Sequence, residues 1–270
     1  MNLLKLIFNF YINASIHVAF SVFSLVLITE IYFEIPHDKN LGWFIFFASI
    51  TAYNFIKYAG VAKFYHMGLT KSLRSIQIFS FICFCLLIYY STKLSMQTLS
   101  YFIPFCIITI LYVVPFLGGF QKNLRKVSYL KIFIVTVVWS GVTTIIPFLS
   151  NKDYLDIDIV LIFFQRILFV FVLILPFDIR DMQLDLKHIK TLPQKIGIEQ
   201  TKKLGFVLLL FSLVIEFLLT NSYHHKNMFF VICLVLFFLI MRAQQNQSKF
   251  YSSFWVESIP ILWLILLMIF

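Results

Sequence analysis

Nine apolar runs divide the chain, near residues 6 to 34, 41 to 62, 75 to 92, 98 to 117, 129 to 149, 157 to 177, 203 to 221, 227 to 241 and 254 to 270, with short charged segments between them. A run of about 20 residues is the length of helix that crosses a bilayer core. Within hydrocarbon each segment must satisfy its own backbone N–H and C=O groups, which leaves a helical bundle as the simplest architecture. With 61% of the 270 residues hydrophobic and 13% charged, too few polar side chains remain to coat a soluble domain. The expectation is therefore an all-α, polytopic membrane bundle of about nine transmembrane helices, forming one domain over residues 1–270. The first run exceeds the roughly 7 to 15 apolar residues of a signal peptide and no small-residue cleavage site follows, so it reads as a span.

Charge gives an independent test of the count. Lys and Arg should gather in alternate loops on the cytoplasmic side. They do: 17 of the 22 fall at Lys5, around Lys57 to Arg74, around Lys122 to Lys131, between Arg180 and Lys203, and at Arg242 and Lys249. The opposite loops hold Lys39, Lys93, Lys152 and Lys226, together with Glu30, Glu34, Asp38, Asp153, Asp156 and Asp158. This places the amino terminus in the cytoplasm and the carboxyl terminus outside, in a membrane of the bacterial inner type. The net positive charge is explained by topology and gives no reason to expect nucleic acid as a partner. Two longer loops, about 57 to 75 and 178 to 203, would cap the cytoplasmic mouth. Cys83, Cys85, Cys106 and Cys233 all lie in apolar runs and read as packing residues, with no disulfide or metal site indicated.

Residues 178 to 197, DIRDMQLDLKHIKTLPQKIG, carry the chemistry. Asp178, Asp181 and Asp185 follow directly on an apolar run, and on a helix their offsets of three and seven residues put them on one face. Thr191, Leu192, Pro193 and then Gly197 stop that helix. A solvated acidic face is the plain alternative. Against it, the three carboxylates stand at the membrane boundary where acidic residues are otherwise scarce, with Arg180 among them. Mg²⁺ is the natural ion, because one or two carboxylates commonly hold it together with substrate phosphates.

The pattern D-x-x-D-x-x-x-D followed by T-L-P and Gly, ending the sixth of nine helices, resembles the second aspartate-rich motif of the UbiA superfamily of intramembrane prenyltransferases. Members of that family join an isoprenyl diphosphate to a lipophilic acceptor, commonly aromatic, in a helical bundle open to lipid. The resemblance implies an isoprenyl diphosphate and such an acceptor as substrates, with Mg²⁺ on Asp178, Asp181 and Asp185 as the catalytic set. The family's first motif, N-D-x-x-D-x-x-x-D, would fall on Asn54 to Ala62. Only Asn54 matches; Phe55, Tyr58 and Ala62 stand in the carboxylate positions. Lys57 and Lys63 add positive charge there, either obeying the positive-inside rule or contacting the diphosphate with Asn54 in place of an ion. The stretch from Leu111 to Lys126 looks like the family's fourth-helix end, where a Tyr and basic residues help hold the diphosphate, which carries Tyr112, Lys122 and Arg125 into the candidate site. Arg180 joins them as a substrate-binding residue.

Two further polar sets lie within apolar sequence. Asn9, Asn13, His17 and Ser21 recur every four residues, so on one continuous helix they line a single face, with Asn13 and His17 the candidates for lining a substrate chamber. Arg166 and Glu216 sit about 18 to 20 Å from the cytoplasmic end of consecutive antiparallel spans, which predicts a buried ion pair. Glu257 reads as a boundary residue. A prenyltransferase is the leading function. A diverged, non-catalytic relative that binds a lipid diphosphate or quinone, or supports a partner enzyme, is the alternative favoured by the missing carboxylates. A transporter lacks support, since no paired inverted pattern of broken helices is visible.

Overall fold

A computed structural model describes residues 3–58, 71–113, 130–152, 154–182, 191–220 and 222–269. These residues are helical without strands, and each apolar run becomes a helix or a broken pair. The elements are α1 (Leu3–Asn13), α2 (Ile16–Tyr32), α3 (Lys39–Tyr58), α4 (Lys71–Ser91), α5 (Met96–Val113), α6 (Leu130–Ser140), α7 (Ile146–Leu149), α8 (Ile157–Asp181), α9 (Leu192–Ile196), α10 (Ile198–Leu218), α11 (Tyr223–Arg242) and α12 (Ile259–Ile269). Among the described residues five spans are long and apolar enough to cross a membrane by themselves, and the bent α1–α2 pair makes a sixth. The fold is a polytopic membrane bundle.

The longest helix, α8, is its organising element and packs chiefly on α10 and α6. Asp156 starts it by accepting the Ile159 N–H at 2.9 Å, which satisfies one of the orphan donors of the first turn. From there α10 leads through α11 and α12 to α2, and α2 to α3 and α4. Between these helices Leu25, Ile28, Phe169, Phe229, Leu236 and Trp263 form a fully enclosed apolar centre. Phe81, Ile107, Phe211, Phe217 and Phe238 stay exposed on the outer faces of their helices, which is the arrangement lipid favours and water does not. Cys83 and Cys233 are buried, Cys85 and Cys106 exposed, and all four are free thiols.

Three features depart from the sequence expectations. The first run is two helices and not one: α1 and α2 meet at 55°, with Ser15 in the left-handed region at φ 62°. The polar stripe is therefore interrupted between Asn13 and His17. Second, α8 ends at Asp181, while Thr191-Leu192-Pro193 opens α9 and does not close a long helix. The Thr191 N–H donates to Gln194 Oε1 at 3.0 Å, and Pro193, whose missing N–H costs nothing in a first turn, begins the new helix. Gly197, at φ 83°, supplies the turn between α9 and α10. Of the two capping loops, residues 59–70 and 183–190 lie outside the described residues.

Third, Arg166 and Glu216 are both buried at the same depth but are not paired with each other. Neighbouring side chains on a helix diverge by about 100°, and it is Gln165 that points to α10 and donates to Glu216 Oε2. Tyr32 donates to the other carboxylate oxygen at 3.2 Å. Arg166 turns instead to α2, donating to the Leu25 carbonyl at 3.0 Å and to Thr29 Oγ1 at 3.3 Å, with its guanidinium 5.3 Å from the Trp263 ring. A π-helical turn, Gly141–Ile145, widens the α6–α7 span at this level, and its Thr143 carbonyl accepts the Thr29 hydroxyl at 2.7 Å.

Candidate functional site

At the aspartate end of the bundle, α1, α2, α3, α8 and the segment before α12 bring their polar residues together. Asn54, 3% exposed on the last turn but one of α3, is the hub. Its Nδ2 donates to the Ala14 carbonyl at 3.0 Å and to Ser80 Oγ of α4 at 2.8 Å, while its Oδ1 accepts the Ser15 hydroxyl at 2.8 Å. The amide thus pins the α1–α2 break, which would otherwise expose unpaired backbone. One turn on, Lys57 Nζ donates to Ser15 Oγ at 2.8 Å, and the Tyr58 hydroxyl donates to the Asn13 carbonyl at 3.0 Å. Asn54 and Lys57 therefore belong to one hydrogen-bonded unit. The Lys57 side chain stays accessible along its length while its ammonium is tied to Ser15.

At the same end of the bundle, α8 presents Asp178 and Asp181 from its last turns. Asp178 is 2% exposed and forms an ion pair with Lys131 at 3.1 Å. Arg180 grips Asp181 with two hydrogen bonds, Nε to Oδ1 at 2.7 Å and a terminal nitrogen to Oδ2 at 3.1 Å. Its other terminal nitrogen donates to the Lys249 carbonyl at 3.3 Å and to Ser253 Oγ at 3.2 Å. Segment 247–253 is fixed to α8 a second time, since the Pro176 carbonyl accepts Gln247 Nε2 at 2.7 Å and Ser252 Oγ at 3.2 Å. Lys249 reaches back to Asn13 Oδ1 at 2.8 Å. Among the described residues no group of three or more His, Cys, Asp and Glu forms a cage for a metal. The donor chemistry still suits Mg²⁺: two carboxylates one turn apart, each already facing a cation that a phosphate would share.

His17 sits beside this constellation with both ring nitrogens engaged. Nδ1 meets the Tyr11 hydroxyl at 2.8 Å, and Nε2 lies 3.0 Å from the Phe254 carbonyl and 3.1 Å from Ser258 Oγ. Stacked on Phe254, it joins α2 to the π-helical turn Tyr251–Val256. Tyr112 is buried at the far end of α5, and Trp139 Nε1 donates to the Tyr53 hydroxyl of α3 at 2.7 Å. Asp185, Lys63, Lys122 and Arg125 lie outside the described residues.

Four site residues escape sequence reasoning. Ser15 marks a break that no Gly or Pro announces. Lys131 and Lys249 look like ordinary loop cations. Glu257, read as a boundary residue, is half-buried directly after the π-helical turn that His17 joins to α2. A cavity of about 750 Å³ opens nearby, lined by Met182, Gly197, Glu199, Lys202 and Gln244, but it contains none of the polar groups just described.

No protein-family model and no curated protein sequence matches the chain. Among solved structures it is similar to a digeranylgeranylglyceryl phosphate synthase in membranes, at 15% identity and a TM-score of 0.58, over 97% of this chain and 97% of that one. The two share a fold. The correspondence runs across both chains nearly from end to end.

Proposed function

We propose that the chain is an intramembrane prenyltransferase that binds an isoprenyl diphosphate at the aspartate end of the bundle and transfers its prenyl group to a lipophilic acceptor, aromatic or otherwise. The observation that carries this reading is that Asp178 and Asp181, each in an ion pair on α8, are tied through Arg180 and Lys249 to the α1–α2 break that Asn54 and Lys57 of α3 hold, in a fold shared with a synthase of a prenylated glyceryl phosphate. Mg²⁺ held by Asp178 and Asp181, with Asp185, would neutralise the diphosphate as it leaves. Lys131 and Arg180 would then swing from carboxylate to phosphate oxygens, and Lys57 would supply a point charge on the α3 side. The apolar interior above them suits a prenyl tail.

A second reading rests on the last turns of α3. With Phe55, Lys57 and Tyr58 there and no carboxylate among the described residues, the site offers a single acidic wall, which fits a diverged relative that binds a lipid diphosphate or quinone, or supports a partner enzyme, without catalysis. Thermal unfolding of the detergent-purified protein with a non-hydrolysable isoprenyl diphosphate, with and without Mg²⁺, tests binding, since a ligand at about 100 times its dissociation constant stabilises by about 2.7 kcal/mol. A Mg²⁺-dependent rise in Tm that Asp181→Ala abolishes supports diphosphate binding; no rise at any prenyl length refutes it. Release of pyrophosphate on adding acceptors then separates transfer from binding alone.

A further inference from the structure

The α1–α2 break has no cause in its own residues. Asn13, Ala14 and Ser15 include neither Gly nor Pro, yet Ser15 adopts φ 62° and ψ 21°, a left-handed conformation that costs an L-residue energy. The bend also takes two carbonyls out of the helical ladder. In a continuous helix the Asn13 and Ala14 carbonyls would accept the N–H groups of His17 and Val18. Here they accept the Tyr58 hydroxyl and Asn54 Nδ2, each at 3.0 Å. Ser15 Oγ donates to Asn54 Oδ1 and accepts from Lys57 Nζ, each at 2.8 Å. The bonds that hold the bent backbone therefore come from α3. The rest of α1 is lightly attached, chiefly through the Tyr11–His17 and Asn13–Lys249 bonds and through rings: Phe8 lies 5.1 and 5.3 Å from Phe250 and Phe254, and Phe10 lies 5.5 Å from Phe79. Leu3, Leu4, Leu6 and Ile7 stay at least half exposed, while Ser15, His17 and Asn54 beneath the break are buried.

We propose that α1 and α2 form a two-state element: the bent form described above, in which α1 covers the Asn54 hub, and a straight form, in which Ser15 returns to the helical conformation and α1 swings away. The straight form needs no new partner. Its backbone bonds are internal, the left-handed residue is relieved, and residues 3–32 as one helix would be about 45 Å long, the thickness of a bilayer with its headgroup layers. It also gives the polar stripe a meaning, because Asn9, Asn13, His17 and Ser21 share one face only when the helix is continuous. Straightening the 55° bend about Ser15 moves Leu4 by about 15 Å and uncovers Ser15, His17 and Asn54. The two forms exchange one discrete set of hydrogen bonds for another, which distinguishes a hinged cover from a frayed end. This device goes beyond the function proposed above and does not depend on which ligand the site takes.

The test is a double electron–electron resonance measurement on the full chain in nanodiscs, with nitroxides at Leu4→Cys of α1 and Ile78→Cys of α4, both exposed positions, and the four native cysteines replaced by alanine. The bent form gives one distance and the straight form a second. Ser15→Gly and Ser15→Ala both delete the hydroxyl and differ in backbone preference, since glycine accepts the left-handed region and alanine favours the helix. The ratio of straight to bent should be about fivefold or more higher in Ser15→Ala than in Ser15→Gly. Tyr58→Phe, which removes the hydroxyl from the Asn13 carbonyl, should raise that ratio above the parent's. One distance shared by the parent and all three variants overturns the proposal. So does a second distance that Ser15→Gly populates more than Ser15→Ala, which would mark a loose hinge with no helical alternative. Where Ser15→Ala does not fold, the comparison of Tyr58→Phe with the parent decides alone.

Discussion

At the scale of single residues the site depends on side chains that hold backbone as well as on those that face ligand. Asn54 is the clearest case, because its amide uses a donor and an acceptor in fixed positions. Asn54→Ala leaves the Ala14 carbonyl, fully buried, without its partner and frees Ser15 from the hydroxyl chain that positions Lys57. An unsatisfied buried acceptor costs about 1–3 kcal/mol, so the variant's Tm should fall by several degrees. Asn54→Asp should be worse than Asn54→Ala, although it matches the carboxylate chemistry of aspartate-rich motifs, because it aims a second acceptor at the Ala14 carbonyl and at Ser80. Thermal unfolding of the two variants side by side checks the order. An aspartate variant as stable as the parent would mean that the amide does not pin the break.

At the scale of elements, helix breaks do more to shape this bundle than helix lengths. The π-turn Gly141–Ile145 needs a glycine at its start because Phe105 of α5 packs against it: a Cβ on Gly141 would lie 2.0 Å from the ring. A Cβ on Gly205 of α10 would meet the tip of Ile240 at 2.3 Å, and that flexible end can turn away. Gly141→Ala should therefore destabilise by about 1–3 kcal/mol or more and Gly205→Ala by less, a ranking that unfolding in detergent would read directly. The same contrast explains what the sequence discloses. Each apolar run became a helix because bilayer thickness and backbone satisfaction leave no other solution, so residues 157 to 177 announce α8 without ambiguity. Asn13-Ala14-Ser15 contains no breaker, since the left-handed turn at Ser15 is stabilised by Asn54 and Lys57 from another helix. Thr191-Leu192-Pro193 is a strong punctuation signal with two meanings, stop and start, and only the Gln194 side chain bonded back to Thr191 separates them. The candidate aspartates stand out in the sequence because they cluster there, whereas Lys249 meets Asn13 and Arg180 only through the docking of the last span on α8 and α2. Arg166 and Glu216 illustrate the limit of depth arguments: equal depth was read correctly, but azimuth around the helix decided the partners.

At the scale of the whole molecule, the polar site and the membrane orientation are one question, because a diphosphate made in the cytoplasm can reach only a cytoplasm-facing chamber. Charge asymmetry predicts that the aspartate end faces the cytoplasm: Lys57, Arg180 and Lys249 lie at that end, while Lys93 and Lys152 lie at the other. The helices obey this division. The turn after α4, with Lys93 solvated over the Tyr89 ring, and the turn after α7, with Lys152 over Phe148, are at the opposite end of the bundle from Asp178. Lys93→Cys and Lys249→Cys resolve the orientation in intact cells. An impermeant maleimide should label position 93 readily and position 249 only after permeabilisation, against a low background from Cys83, Cys85, Cys106 and Cys233, which lie within the apolar helices α4, α5 and α11, away from the aqueous reagent. Labelling of position 249 from outside would place the aspartates away from the cytoplasmic pool of diphosphates. The site would then have to receive a ligand already in the outer leaflet, which would turn the argument from a prenyltransferase toward a protein that handles a lipid-borne phosphate.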